Sequence, residues 1–166
     1  MKVNIALLTV TDTRTIENDE SGKILVQKIE KQKHNLIDRK IVKDKKDKIK
    51  EVLLEWTKKD NIDVIITTGG TGLTGRDITP EAVNEIADKL IPGFGELFRE
   101  LSYKTIGTSA MQSRACAALV NGKYIFTLPG SSGGVTDAWE GILKYQLDIN
   151  HKPCNFVELF PRLKEK

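Results

Sequence analysis

Apolar residues along the chain fall into two alternating patterns. Residues 3–10, 62–68 and 124–128 are nearly continuous apolar or β-branched runs, which marks strands buried on both faces. Residues 36–42 alternate more loosely and read as a further strand. Between these runs the apolar positions recur at helical spacing: Ile24, Leu25 and Ile29, then Ile49, Val52, Leu53 and Trp56, then Phe94, Leu97, Phe98 and Leu101. Ser21 is a plausible N-cap for the first helix. Thr79-Pro80-Glu81 reads as cap, first helical residue and first-turn acid of another helix. The Ala-rich stretch 109–119 predicts a helix carrying Ser113 and Arg114 on it. Asn121-Gly122 turns the chain into the strand at 124–128, and residues 135–147 close the pattern with a helix.

Strands alternating with helices predict an α/β fold, a three-layer αβα sandwich around a doubly wound, mostly parallel sheet. No repeat or low-complexity linker divides the sequence, so residues 1–166 are expected to form a single domain. Ligands of such sheets bind outside the carboxyl ends of the strands, which directs attention to the loops there.

Composition narrows the class. With 166 residues, 39% of them hydrophobic, and a net charge of +3, the chain is large enough for a self-sufficient core. No apolar stretch is long enough to span a membrane, and the first apolar run lacks a cleavage-site pattern, so no membrane partner or leader is expected. Cys116 and Cys154 read as free thiols in a reducing, cytoplasmic setting. His34 and His151 have no Cys or His at zinc spacing. The lysines between positions 43 and 50 are interleaved with Asp44 and Asp47 and lack aromatic neighbours. They read as the solvated start of a helix, with no nucleic acid expected.

Chemistry concentrates in two glycine loops. Gly69, Gly70, Gly72 and Gly75 follow the third buried run directly. Such a turn either simply reverses the chain or presents consecutive N–H groups to a phosphate. Gly70, Gly72 and Gly75 fit the dinucleotide fingerprint, which would suit a nicotinamide cofactor, but the following helix begins too late for it. A phosphate-binding P-loop also fails, because Arg76 and Asp77 stand where Lys and Ser or Thr belong. Asp77 beside phosphates calls for a cation between them, and Mg²⁺ is the ion of that setting; its competing role is to cap the next helix. Pro129-Gly130-Ser131 sits in a second strand-to-helix loop at the same edge. No nucleophile signature accompanies either histidine, which leaves chemistry by positioning and charge neutralisation.

In chain order, Thr68-Gly69-Gly70-Thr71-Gly72, Asp77-Ile78-Thr79-Pro80-Glu81-Ala82, Pro92-Gly93-Phe94-Gly95-Glu96, Ser113-Arg114 and Pro129-Gly130-Ser131 form a specific set. The set resembles the MoaB/MogA family of molybdenum cofactor biosynthesis over nearly the whole chain. Ile106-Gly107-Thr108-Ser109 and Lys152-Pro153-Cys154-Asn155-Phe156 are similar to its MoaB branch. The resemblance implies molybdopterin as substrate, ATP as co-substrate with Mg²⁺, and adenylylation of the pterin's terminal phosphate. It implies that Thr68, Gly69, Gly70, Thr71 and Gly72 cradle nucleotide phosphates and that Asp44 and Asp77 are catalytic, Asp77 managing the metal. Thr11, Asp12, Ser113, Arg114, Pro129, Gly130 and Ser131 would line the substrate side. It also implies a homo-oligomer, a hexamer or a trimer, working with other proteins of the pathway. Several MoaB-branch members carry Glu in place of Asp44; retained Asp44 and Asp77 imply an active enzyme, the alternative being a non-catalytic molybdopterin-binding oligomer.

Overall fold

The computed structural model describes residues 1–165. In chain order its main elements are β1 (Asn4–Val10), α1 (Glu20–Lys31), β2 (Asn35–Val42), α2 (Lys46–Thr57), β3 (Val64–Thr68), α3 (Thr79–Ile86), β4 (Lys89–Leu90), α4 (Pro92–Ile106), β5 (Cys116–Val120), β6 (Lys123–Leu128) and α5 (Ser132–Ala138). Among the described residues six strands form one sheet in the order β2-β1-β3-β6-β5-β4. The first four of that order run parallel, and β5 runs antiparallel to both of its neighbours. The expected α/β sandwich with a mostly parallel, doubly wound sheet is therefore what the chain forms.

The apolar runs are continuous because each strand buries both faces. Ile5 and Leu7 of β1, Val64 and Ile66 of β3, and Phe126 and Leu128 of β6 pack with Leu25 and Ile29 of α1, Phe94 and Phe98 of α4 and Val135 of α5. Their alternate neighbours Ala6, Leu8, Ile65 and Ile125 pack on the other face with Ile49, Leu53 and Trp56 of α2 and Ala82 and Val83 of α3. Full burial of a Leu, Ile or Phe side chain stabilises by about 1.5–3 kcal/mol each, so these two layers dominate the folding energy. Trp56 is wholly buried, and its indole N–H donates to Asp38 at 2.9 Å.

The two faces also set where the site lies. The chain leaves β1 toward α1 on one face and leaves β3 toward α3 on the other, while β6 leads back to α5 on the first face. Loops that diverge from adjacent parallel strands open a crevice at their carboxyl ends, here above β1, β3 and β6.

Four local expectations are corrected. Residues 109–119 are not one helix: a 3₁₀ segment, Gly107–Gln112, gives way to β5. Ala117 and Ala118 face opposite layers, and Asn121 and Gly122 both take positive φ (49° and 70°) in the tight turn joining β5 to β6, the conformation a two-residue hairpin demands. Ser113 and Arg114 accordingly sit in the irregular link before β5. The cap of α1 is Asp19, whose carboxylate accepts the Gly22 N–H at 3.0 Å, while Ser21 lies inside the helix. In α3 the cap position belongs to Ile78, and Thr79 is already helical. After α5 the expected helix continues through a π-helical stretch, Trp139–Leu143, and a short turn, Lys144–Gln146.

Candidate functional site

The loop after β3 has a conformation only glycine adopts comfortably. Gly69 and Gly70 both have positive φ, 101° and 69°. A Cβ on Gly69 would lie 2.2 Å from the Val10 carbonyl oxygen, and one on Gly70 would lie 2.3 Å from the Thr79 hydroxyl. The loop is thus folded down onto the end of β1 on one side and the start of α3 on the other. Thr79 Oγ1 donates to Gly69 O at 2.9 Å, and the Thr79 N–H donates to Gly70 O at 3.1 Å. The Gly69 N–H donates to Leu128 O at 3.0 Å, tying the loop to β6. Thr68 Oγ1 donates to Pro129 O at 2.8 Å. Gly130 approaches so closely that a Cβ there would stand 3.3 Å from the Gly69 Cα.

Two neighbouring clefts result. One, of about 350 Å³, brings together Thr11, Arg14, Thr68, Gly69, Gly70, Gly130 and Ser131. The other, of about 380 Å³, is lined by Gly70, Thr71, Gly72, Asp77, Ser113 and the Pro129–Ser131 segment, with Gln112 joining them. The residues singled out in the two glycine loops therefore converge. Gln112 and Arg14 carry no sequence signal, since a lone polar residue in a loop forms no pattern.

Acidic groups gather on the rim. Asp12 Oδ1 accepts the Asp44 N–H at 3.2 Å, and Asp12 Oδ2 pairs with Arg76 at 2.7 Å. Burial, reinforced by the negative charges of Asp12 and Asp77, pushes the Asp44 carboxyl above the ordinary aspartate value. Asp77 moves the other way: burial opposes its ionisation, but the Thr74 hydroxyl and N–H and the Gly72 N–H outweigh it. Thr74 makes both contacts to Asp77 Oδ2, at 2.7 and 2.9 Å. Asp77 thus closes its own loop instead of capping α3. Among the described residues no group of three or more His, Cys, Asp or Glu side chains converges as a metal site.

Arg114 faces the loop itself. Its Nε donates to Gly72 O at 2.8 Å, one terminal nitrogen donates to Asp77 O at 2.7 Å, and the other pairs with Glu81. The Arg114 N–H adds a bond to Thr71 O at 2.9 Å. The guanidinium spans the glycine loop from Gly72 to Asp77 and ties it to α3. Ser131 caps α5 by accepting the Gly134 N–H at 3.1 Å.

Beneath the clefts lies a buried charge that sequence reading missed. Asp19 is fully buried; its carboxylate accepts from Thr9 Oγ1 at 2.6 Å and pairs with Arg39 at 3.0 Å. Ser21 Oγ donates to Asp19 at 3.3 Å and lies 3.2 Å from Thr68 Oγ1. The lysine-rich segment is largely neutralised in the fold: Lys46 and Lys50 pair with Glu85, and Lys48 pairs with Glu51. No described helix is long and apolar enough to cross a membrane. In a further groove, between α1 and the π-helical stretch, Lys28 and Lys144 close on Glu140 and pull its carboxyl down to about 2.

Residues 6–148 match the family described as a probable molybdopterin binding domain. The chain is 43% identical to molybdenum cofactor biosynthesis protein B of Escherichia coli strain K12 over 161 residues, 97% of this chain and 93% of that one. A crystal structure of a molybdenum cofactor biosynthesis protein B superposes with a TM-score of 0.89 at 38% identity, covering 100% of this chain and 98% of that one. The tungsten cofactor synthesizing protein MoaB from Pyrococcus furiosus gives a TM-score of 0.77 at 34% identity, covering 86% and 91% of the two chains. With two glycine loops converging at the sheet's crevice and a match across most of its length, the chain belongs to the molybdopterin-binding family of molybdenum cofactor biosynthesis proteins.

Proposed function

We propose that this chain acts in molybdenum cofactor biosynthesis as a molybdopterin adenylyltransferase using ATP and Mg²⁺. One observation carries the reading: the positive-φ turn at Gly69 and Gly70 lies beside Asp44, whose carboxyl is held above the ordinary value by burial and by the charges of Asp12 and Asp77. Backbone N–H groups bent into such a turn suit phosphate oxygens. Mg²⁺ takes few carboxylates and completes its shell with phosphate oxygens and water. Asp44 and Asp77 fit that demand, Asp44 lying against Gly70 and Asp77 against Gly72. When bound, the ion supplies charge neutralisation on the phosphates.

In the reaction, an oxygen of the molybdopterin phosphate attacks the α-phosphorus of ATP. A new P–O–P link forms, the bond from the α-phosphorus to the bridging oxygen breaks, and pyrophosphate leaves. The chain contributes position and charge stabilisation: loop N–H groups toward the nucleotide phosphates, and Ser113, Pro129, Gly130 and Ser131 toward the pterin side. Arg114 keeps Gly72 and Asp77 in register through its carbonyl contacts.

Homo-oligomerisation is part of the reading. Leu90 on the β4 edge, Leu97 and Ile106 on α4 and Met111 beyond it are exposed apolar side chains for other copies to cover. A cytoplasmic setting follows from the same role.

A second reading, molybdopterin binding without catalysis, has one observation in its favour, because both Thr74 contacts already occupy Asp77 Oδ2. Pyrophosphate release separates the two. With ATP, Mg²⁺ and molybdopterin all present, the wild-type chain is expected to release pyrophosphate, and Asp77→Asn is expected to abolish release while remaining folded. Release that survives Asp77→Asn removes Asp77 from the chemistry. Molybdopterin binding with no release supports the second reading.

A further inference from the structure

Phosphate chemistry in this crevice meets a charge problem. The negative charges of Asp12 and Asp77 already bear on Asp44 there, and every phosphate adds negative charge. Two nearby arginines are engaged. Arg76 is paired with Asp12, and Arg114 is held by Glu81 and by the Gly72 and Asp77 carbonyls.

Arg14 differs from both. It is exposed, lines the same cleft as Thr68, Gly69 and Gly70, and makes no carboxylate pair among the described residues. Its guanidinium donates to Gly130 O at 3.3 Å, which leaves most of its five donors unspent. The backbone beneath it is fixed, since Thr11 Oγ1 accepts the N–H groups of Thr13 and Arg14, both at 3.3 Å. This hydroxyl-closed turn carries the side chain from the end of β1 across the mouth of the cleft to the β6 loop.

We propose that Arg14 is the residue that receives a phosphate group in this cleft, gripping it between the β1 and β6 loops. A guanidinium fork matches two phosphate oxygens at once, which a lysine cannot do. The ligand is a phosphate monoester or the end of a polyphosphate chain. The assignment rests on the nucleotidyl-transfer reading and adds to it a cation that is not committed to the fold.

Calorimetry of the full-length chain tests it, with Mg²⁺-ATP and molybdopterin titrated separately into wild type, Arg14→Ala and Arg14→Lys. Arg14→Ala is expected to weaken one ligand by about 10- to 100-fold, as loss of a charge-assisted contact does. Arg14→Lys should recover part of the loss, with the urea midpoint unchanged in both variants. Weakening of ATP alone assigns the guanidinium to the polyphosphate, weakening of molybdopterin alone assigns it to the monoester, and weakening of both places it between them. Wild-type binding that survives Arg14→Ala overturns the assignment alone. Weakening that comes only with a lowered urea midpoint overturns it in favour of a structural role. A wild-type chain that binds neither ligand overturns the nucleotidyl-transfer reading and this assignment together.

Discussion

Replacing Asp19 with alanine is expected to destabilise the fold more than any single change on the cleft rim. The carboxylate is fully buried and serves four groups: the Thr9 hydroxyl, the Ser21 hydroxyl, the Gly22 N–H and the Arg39 guanidinium. Loss of a helix cap costs about 1 kcal/mol, and breaking a buried ion pair costs about 3–5 kcal/mol. Arg39 keeps 17% of its side-chain surface exposed, so water partly rescues its charge, and a combined loss of about 3 kcal/mol follows. With a urea dependence of about 2 kcal/mol per molar for a chain of this size, the unfolding midpoint should fall by about 1.5 M. Acid titration gives an independent check. Burial raises the Asp19 carboxyl, but Thr9, Gly22 and Arg39 together outweigh it, so its value lies below the ordinary one. A depressed carboxyl stabilises above its unfolded value, near pH 4, and loses that contribution as pH falls through the folded value. Below that window wild type and Asp19→Ala should converge in this contribution. A variant within about 0.5 kcal/mol of wild type at pH 7 would refute the reasoning, since that is the scale of ordinary surface changes.

Two further outcomes follow from the same geometry. Gly69→Ala meets the Val10 carbonyl at 2.2 Å in a positive-φ conformation and should cost at least about 2 kcal/mol in urea unfolding, with loss of nucleotide binding; a stable variant that still binds ATP would contradict it. Asp44→Asn should act in the opposite sense on stability. Because the folded carboxyl is raised, ionising it weakens the fold as pH climbs from the unfolded toward the folded value. The neutral amide should therefore raise stability at pH 7 slightly, seen as a small rise in the urea midpoint, while ending pyrophosphate release.

The sandwich was legible because its strands bury both faces, a condition that leaves continuous apolar runs such as residues 62–68. The glycine loops were legible too, since positive φ at Gly69 and Gly70 leaves few other residues able to stand there. The edge beyond β6 was misread. Ala115, Ala117 and Ala118 favour helix by propensity, yet small side chains also suit a strand packed tightly under two helices. Asn121-Gly122 held the deciding signal, because that pair favours a two-residue hairpin with a strand on each side. The substrate-side place of Arg114 comes from the family resemblance, and nothing in a linear pattern reveals that its donors bond Gly72, Asp77 and Glu81. Asp19 was invisible for a related reason: a buried carboxylate is marked only by Arg39 and Thr9, which come to it from other strands.

The Gly69 loop is pinned to Leu128 and lies against Gly130, about sixty positions further along the chain. A nascent chain can therefore pair β1, β2 and β3 well before its binding surface exists. Until β6 slots in, β3 presents a bare edge, Val64–Thr68, and the cleft at the Gly69 loop lacks a wall. The cleft is complete only when the second half of the chain has docked, so an incomplete or misassembled chain lacks a finished binding surface. The same bare edge is the segment that a chaperone would be expected to shield during synthesis.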